Sequence, residues 1–148
     1  MRALAVGLLL SALAAASAAA EDPVKGQGKA RGPDTIAVAG TRIRLAAIEP
    51  PAEGMVCVGS GGAVPCTEAA AAALDALLAR GEVACSKEHR LGHGYFLGRC
   101  TLGDGTDLAL ALLGQGLAQP AGTEAPDAYR TAGAEARDAR RGLWAAGS

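Results

Sequence analysis

Aromatic side chains are nearly absent, since one Trp, two Tyr and one Phe make up 3% of the 148 residues. Stacking platforms for unpaired bases, which need several such rings, are therefore scarce. An excess of one charge is missing as well. Fourteen basic side chains stand against fifteen acidic ones, a net charge of −1 with both histidines neutral. Proteins that hold polyanions over a broad surface carry a basic face, because neutralising phosphates releases counterions and supplies most of the sequence-independent affinity. Any nucleic-acid contact is therefore expected to be weak or confined to a few residues. No CxxC spacing occurs, and neither an internal repeat nor a second domain is visible.

What is present begins with "MRALAVGLLLSALAAASAAA": a basic start, an apolar run, and three alanines before Glu21. This is the layout of a secretory signal peptide. The run is short for a membrane anchor, contains Ser11 and Ser17, and no second spanning segment follows. Residues 1–20 are thus expected to be removed, leaving an exported, periplasmic or secreted chain of residues 21–148 with no membrane attachment and a monomeric state. Arg2 is the leader's one charged residue, so the remaining 13 basic and 15 acidic side chains give −2. A chain of this length forms one domain that buries roughly two thirds of its unfolded surface.

Export also bears on Cys57, Cys66, Cys85 and Cys100, because an oxidising compartment favours two disulfides over a metal site. Three pairings are open. We favour Cys57 with Cys66, closing the Gly-rich loop "CVGSGGAVPC", and Cys85 with Cys100, tying two segments that read as neighbouring strands.

Short strands interrupted by the turn signals Gly32-Pro33-Asp34 and Ala39-Gly40 suggest a meander over the first part of the mature chain. In "TRIRLAAIEPPAE", Arg42 and Arg44 share one face while Ile43, Leu45 and Ala47 share the other. Thr67 stands as an N-cap for an Ala-rich helix with Leu74, Leu77 and Leu78 on one face and Gly81 as its stop. "EVACS" and "GYFLGRCTL" read as strands joined by the charged connection "KEHRLGH"; "TDLALALLGQG" reads as a short buried helix, and residues 126–141 as a last helix closed by Gly142-Leu143-Trp144. The expected order is three strands, helix, two strands, two helices.

That order and the pieces "PDTI", "RIRLAAIEPP", "EAAAAAL", "LGRC", "LLGQGLA" and "YRTAGAEARDARRGLW" resemble the staphylococcal nuclease, or thermonuclease-like, family over residues 24–144. The resemblance implies a mainly β fold with helices, a five-stranded OB-fold barrel with about three helices. It also implies Ca²⁺-dependent hydrolysis of phosphodiesters in DNA or RNA, with two arginines on the scissile phosphate and a glutamate activating water. Arg44 matches the arginine of the family's "RLxGIDAPE" segment, and Arg99 that of "DRYGR". Asp34 matches the last acid of the "DGDT" turn, a calcium ligand, while Gly32 stands where that motif's first acid would be. Glu49 replaces the second aspartate ligand, and Pro50 offers its backbone carbonyl to the metal.

Ala52 falls at the general base, with Glu53 one residue later as its substitute. Leu97 stands where "DRYGR" has tyrosine. His89 and His93 read as surface histidines, Tyr129 and Trp144 as residues that pack the last helix, and Asp104 and Asp107 as turn and helix-start residues. Two functions follow as expectations: an exported nuclease of low activity, with Arg44, Arg99 and Glu53 as its catalytic groups and Asp34, Glu49 and Pro50 as ligands for Ca²⁺, or a non-catalytic OB-fold binding module.

Overall fold

A computed structural model describes residues 21–59 and 61–145. The expected leader, residues 1–20, lies outside the described residues.

Two short strands, β1 (Val24–Gly26) and β2 (Gly28–Ala30), form one bent strand, followed by β3 (Thr35–Val38) and β4 (Thr41–Leu45). The tight β3–β4 turn at Ala39-Gly40 has both residues at positive φ, 46° and 75°. β4 alternates as its sequence dictates: Arg42 and Arg44 are exposed, Ile43 and Leu45 buried. After β5 (Ile48–Glu49), the segment expected to be a loop is a hairpin, β6 (Val56–Gly59) with β7 (Gly62–Pro65). Its glycines sit where the chain reverses, so they shorten the loop rather than lengthen it.

Helix α1 (Cys66–Leu78) starts one residue before the expected Thr67 cap, with Pro65 at the N-cap and no side-chain cap. The disulfide to Cys57 and the Cys66 N–H donating to the Met55 carbonyl at 2.9 Å fix the start instead. The helix docks on β2, where Asp75 accepts from the Ala30 N–H at 2.9 Å and meets Lys29 Nζ at 3.2 Å. Those contacts, the backbone one first, hold the Asp75 carboxyl below its ordinary pKa. At Gly28 a Cβ would stand 2.7 Å from Leu78, so the residue admits the helix.

β8 (Val83–Cys85) and β9 (His89–Gly92) run back antiparallel to β10 (Tyr95–Gly98) and β11 (Cys100–Leu102). Here the expected charged connection is corrected: His89–Gly92 is a strand, and the turn is His93-Gly94. Between the named strands, Ser86 N–H donates to the Arg99 carbonyl at 2.9 Å and Glu88 N–H to that of Leu97 at 2.8 Å, so pairing is continuous along the hairpin. Cys85 lies opposite Cys100, and the two are bonded. Gly98 is obligatory there, because a Cβ would fall 1.9 Å from the Ser86 carbonyl oxygen.

These pairings close a ring. The bent β1–β2 strand pairs with β3, β3 with β4, β4 with β10, the β10–β11 strand with β8–β9, and β8 returns to β1. The β4–β10 contact is parallel and the others are antiparallel. The interior holds Ile36, Val38, Ile43, Leu45, Val83 and Phe96, capped by Leu74 and Leu78 of α1. Helix α2 (Leu108–Gly114), capped by the Asp107 side chain accepting from the Leu110 N–H, buries Leu108, Leu112 and Leu113. The short β12 (Gln119–Pro120) pairs with β5. Helix α3 (Asp127–Asp138) and a 3-10 turn (Gly142–Trp144) complete the described chain. No described helix is long and apolar enough to cross a membrane.

Candidate functional site

Arg44 and Arg99 project from the outer surface of the β4–β10 pair. The register sets Arg44 opposite Leu97, and alternation places Arg99 one pleat further along the same face. Each arginine is tethered by a carboxylate. Asp34, the one buried charged residue described, accepts from Arg44 Nε at 3.1 Å through Oδ2 and from the Thr35 hydroxyl at 3.0 Å through Oδ1. Its position is set by the turn before β3, where its carbonyl accepts from the Leu45 N–H at 2.8 Å. Glu88 Oε1 lies 3.3 Å from Arg99 Nε and accepts from the Ser86 hydroxyl at 3.3 Å, while that hydroxyl accepts from the Arg99 N–H at 3.0 Å.

Both tethers use Nε. Among the described residues neither guanidinium gives a terminal nitrogen to a protein acceptor, so the Nη pair of each, four N–H donors, is left for another acceptor. Two planar forks on one sheet face can each bond two oxygens of a tetrahedral anion. Arg99 also lies 6.0 Å from the ring centroid of Tyr129, whose hydroxyl donates to Asp107 at 2.6 Å. Burial, then the Asp107 carboxylate, pushes the Tyr129 phenol well above its ordinary pKa.

The corner at residues 49–53 is separate in character. Glu49 is exposed on β5 opposite Gln119; Pro50 is half-buried and Pro51 buried; Ala52 and Glu53 are exposed in a turn closed by the Met55 N–H on the Ala52 carbonyl at 3.2 Å. Glu53 and Glu49 make no side-chain hydrogen bond or ion pair among the described residues. Ca²⁺ needs six to eight oxygens. No three His, Cys, Asp or Glu side chains described here lie together as a metal site, and Asp34 commits both oxygens to Arg44 and Thr35. In this arrangement the expected set would offer the ion two carboxylates and one backbone carbonyl, with Asp34 also holding Arg44 and Thr35.

His89 and His93 are exposed on the β9–β10 hairpin. Tyr129 is buried, and Trp144 is partly buried beneath the Arg137 guanidinium at 4.4 Å. Glu88 and Ser86, which orient Arg99, were not singled out from sequence. The signal was the Cys85–Cys100 pairing: once that register is fixed, Ser86 falls opposite Arg99 and Glu88 diagonal to it on the same face.

A closed five-stranded barrel with one parallel contact, helices over its end and two outward arginines on that contact defines an OB-fold domain of nuclease-like type. A family model described as staphylococcal nuclease homologue matches residues 42–146, and the chain belongs to that family. It is also similar to the succinoglycan biosynthesis protein ExoI of Rhizobium meliloti (strain 1021), 33% identical over 144 residues that span 95% of this chain and 75% of that protein.

Proposed function

We propose that this is an exported member of the staphylococcal nuclease family that binds phosphodiesters or similar anions at Arg44 and Arg99 without cleaving them. The observation that carries the reading is the paired Nε tether, which leaves both guanidinium forks open on one face while fixing their direction. Preorganised donors of this kind bind an anionic group and stabilise charge that builds on it. Ala52 at the position of the general base argues against fast turnover, because a positioned base contributes about 10²- to 10⁴-fold in rate. Two disulfides support export. The expected leader and monomeric state remain part of this proposal.

A slow hydrolysis with Glu53 as base is the second reading, favoured by one observation: Glu53 is exposed, carries no partner among the described residues, and stands one residue from the family's position.

One experiment separates the two. Fluorescence anisotropy with a labelled single-stranded oligonucleotide should show salt-dependent binding that weakens roughly 10- to 100-fold in Arg44→Ala and in Arg99→Ala. The slope of log affinity against log salt should fall by about one per arginine removed. Incubation of the same strand at high protein concentration, with Ca²⁺ and with chelator, reads cleavage. Binding without cleavage supports the module. Metal-dependent cleavage lost in Glu53→Ala supports the second reading, and absence of both binding and cleavage overturns the anion site.

A further inference from the structure

A groove of about 430 Å³ lies between α3, β12 and the 3-10 turn, and neither Arg44 nor Arg99 lines it. The size is within the range of small-ligand sites. Helix and strand meet beside it at Gly133, where a Cβ would stand 2.9 Å from the Pro120 ring.

Three polar side chains on its walls make no hydrogen bond or ion pair among the described residues. Arg137 lies over the Trp144 ring at 4.4 Å, which holds the guanidinium in place without consuming a donor. Among the described residues it makes no hydrogen bond and no ion pair, so all five N–H groups are free. The side chains of Gln119 and Asp138, also on the walls, have no partner among the described residues either. Arg130 differs, being held by Asp127 and by the Thr123 carbonyl at 2.7 Å.

The unused set is therefore one guanidinium, one amide, one carboxylate and the buried Trp144 indole N–H, around small apolar surfaces from Pro120 and Gly133. A guanidinium recognises a planar or tetrahedral anion through paired N–H bonds. An amide and a carboxylate together donate to and accept from hydroxyls. Asp138 opposes a second negative group, which rules against polyanions.

We propose that this groove binds a sugar carrying a single anionic group, a phosphate or a carboxylate, with Arg137 on the anion and Gln119 and Asp138 on ring hydroxyls. This site is independent of the barrel face and stands whether or not that face binds phosphodiesters.

Trp144 is the chain's one tryptophan, so its fluorescence reports on the groove directly. The full chain would be titrated with glucose 6-phosphate, glucuronate, inorganic phosphate and glucose, with calorimetry as a second readout. One of the two acidic sugars should bind saturably and at least about tenfold more tightly than inorganic phosphate or glucose, and the better of the two names the anionic group. Arg137→Ala should weaken that binding at least about tenfold, by calorimetry as well as by fluorescence, while Arg99→Ala should leave it unchanged. The proposal is overturned if neither acidic sugar binds, if inorganic phosphate alone binds as well, or if the affinity falls in Arg99→Ala and not in Arg137→Ala.

Discussion

Ala47 occupies a left-handed conformation, φ 65°, as the second residue of the turn between β4 and β5 that leads to the 49–53 corner. The family's "RLxGIDAPE" segment has glycine there. A left-handed alanine costs about 1 to 2 kcal/mol, whereas glycine costs roughly 0.5 to 1 kcal/mol in lost chain freedom. The first term is larger, so Ala47→Gly should stabilise the fold by about 0.5 to 1 kcal/mol, raising Tm by roughly 3 °C in a thermal melt. An unchanged or lower Tm would show that the turn is not strained. Glu88 raises a question of sign. If it orients Arg99, Glu88→Ala should weaken oligonucleotide binding about two- to fivefold even though it removes a negative charge. Tighter binding in that variant would show instead that Glu88 competes with the ligand for the guanidinium.

Between elements, the approach of α3 to β12 can be tested by a single atom. Gly133→Ala gains up to about 1 kcal/mol in helix propensity but drives a Cβ to 2.9 Å from the Pro120 ring, and such overpacking costs about 1 to 3 kcal/mol. Packing should win by about 1 kcal/mol, seen as a lower urea midpoint with the slope unchanged. The same scale shows what sequence could carry. β4 was legible because Arg42 and Arg44 alternate with Ile43 and Leu45, and α1 because Leu74, Leu77 and Leu78 share a face. β9 was not, since it is exposed along nearly its whole length and has no alternation to read. β6–β7 was hidden by glycines that signal a loop of any length. Period two tells which way a side chain points but not which strand lies beside it, so Arg44 and Arg99 were brought together by the family resemblance and not by periodicity, and the Glu88 tether was not found.

For the whole molecule, alkaline pH tests the helical side of the barrel. The buried Tyr129 phenol has its pKa raised in the folded state, so the neutral form is favoured on folding. Its contribution to stability is complete below the unfolded value of about 10 and is lost as pH rises beyond it. Unfolding free energy measured from pH 8 to 11.5 should therefore fall more steeply in the parent than in Tyr129→Phe, and equal slopes would place the ionising group elsewhere. The parallel β4–β10 contact has another meaning in time. Its two strands lie about fifty residues apart in the chain and are joined by no tight turn, whereas β3–β4 and the Cys85–Cys100 hairpin are local. Local contacts form early and distant ones late. Because Arg44 and Arg99 become neighbours through that distant contact, the capacity to capture an anion should appear in refolding as a late event, after the hairpins, and an oligonucleotide present from the start should slow unfolding without hastening the approach to the native state.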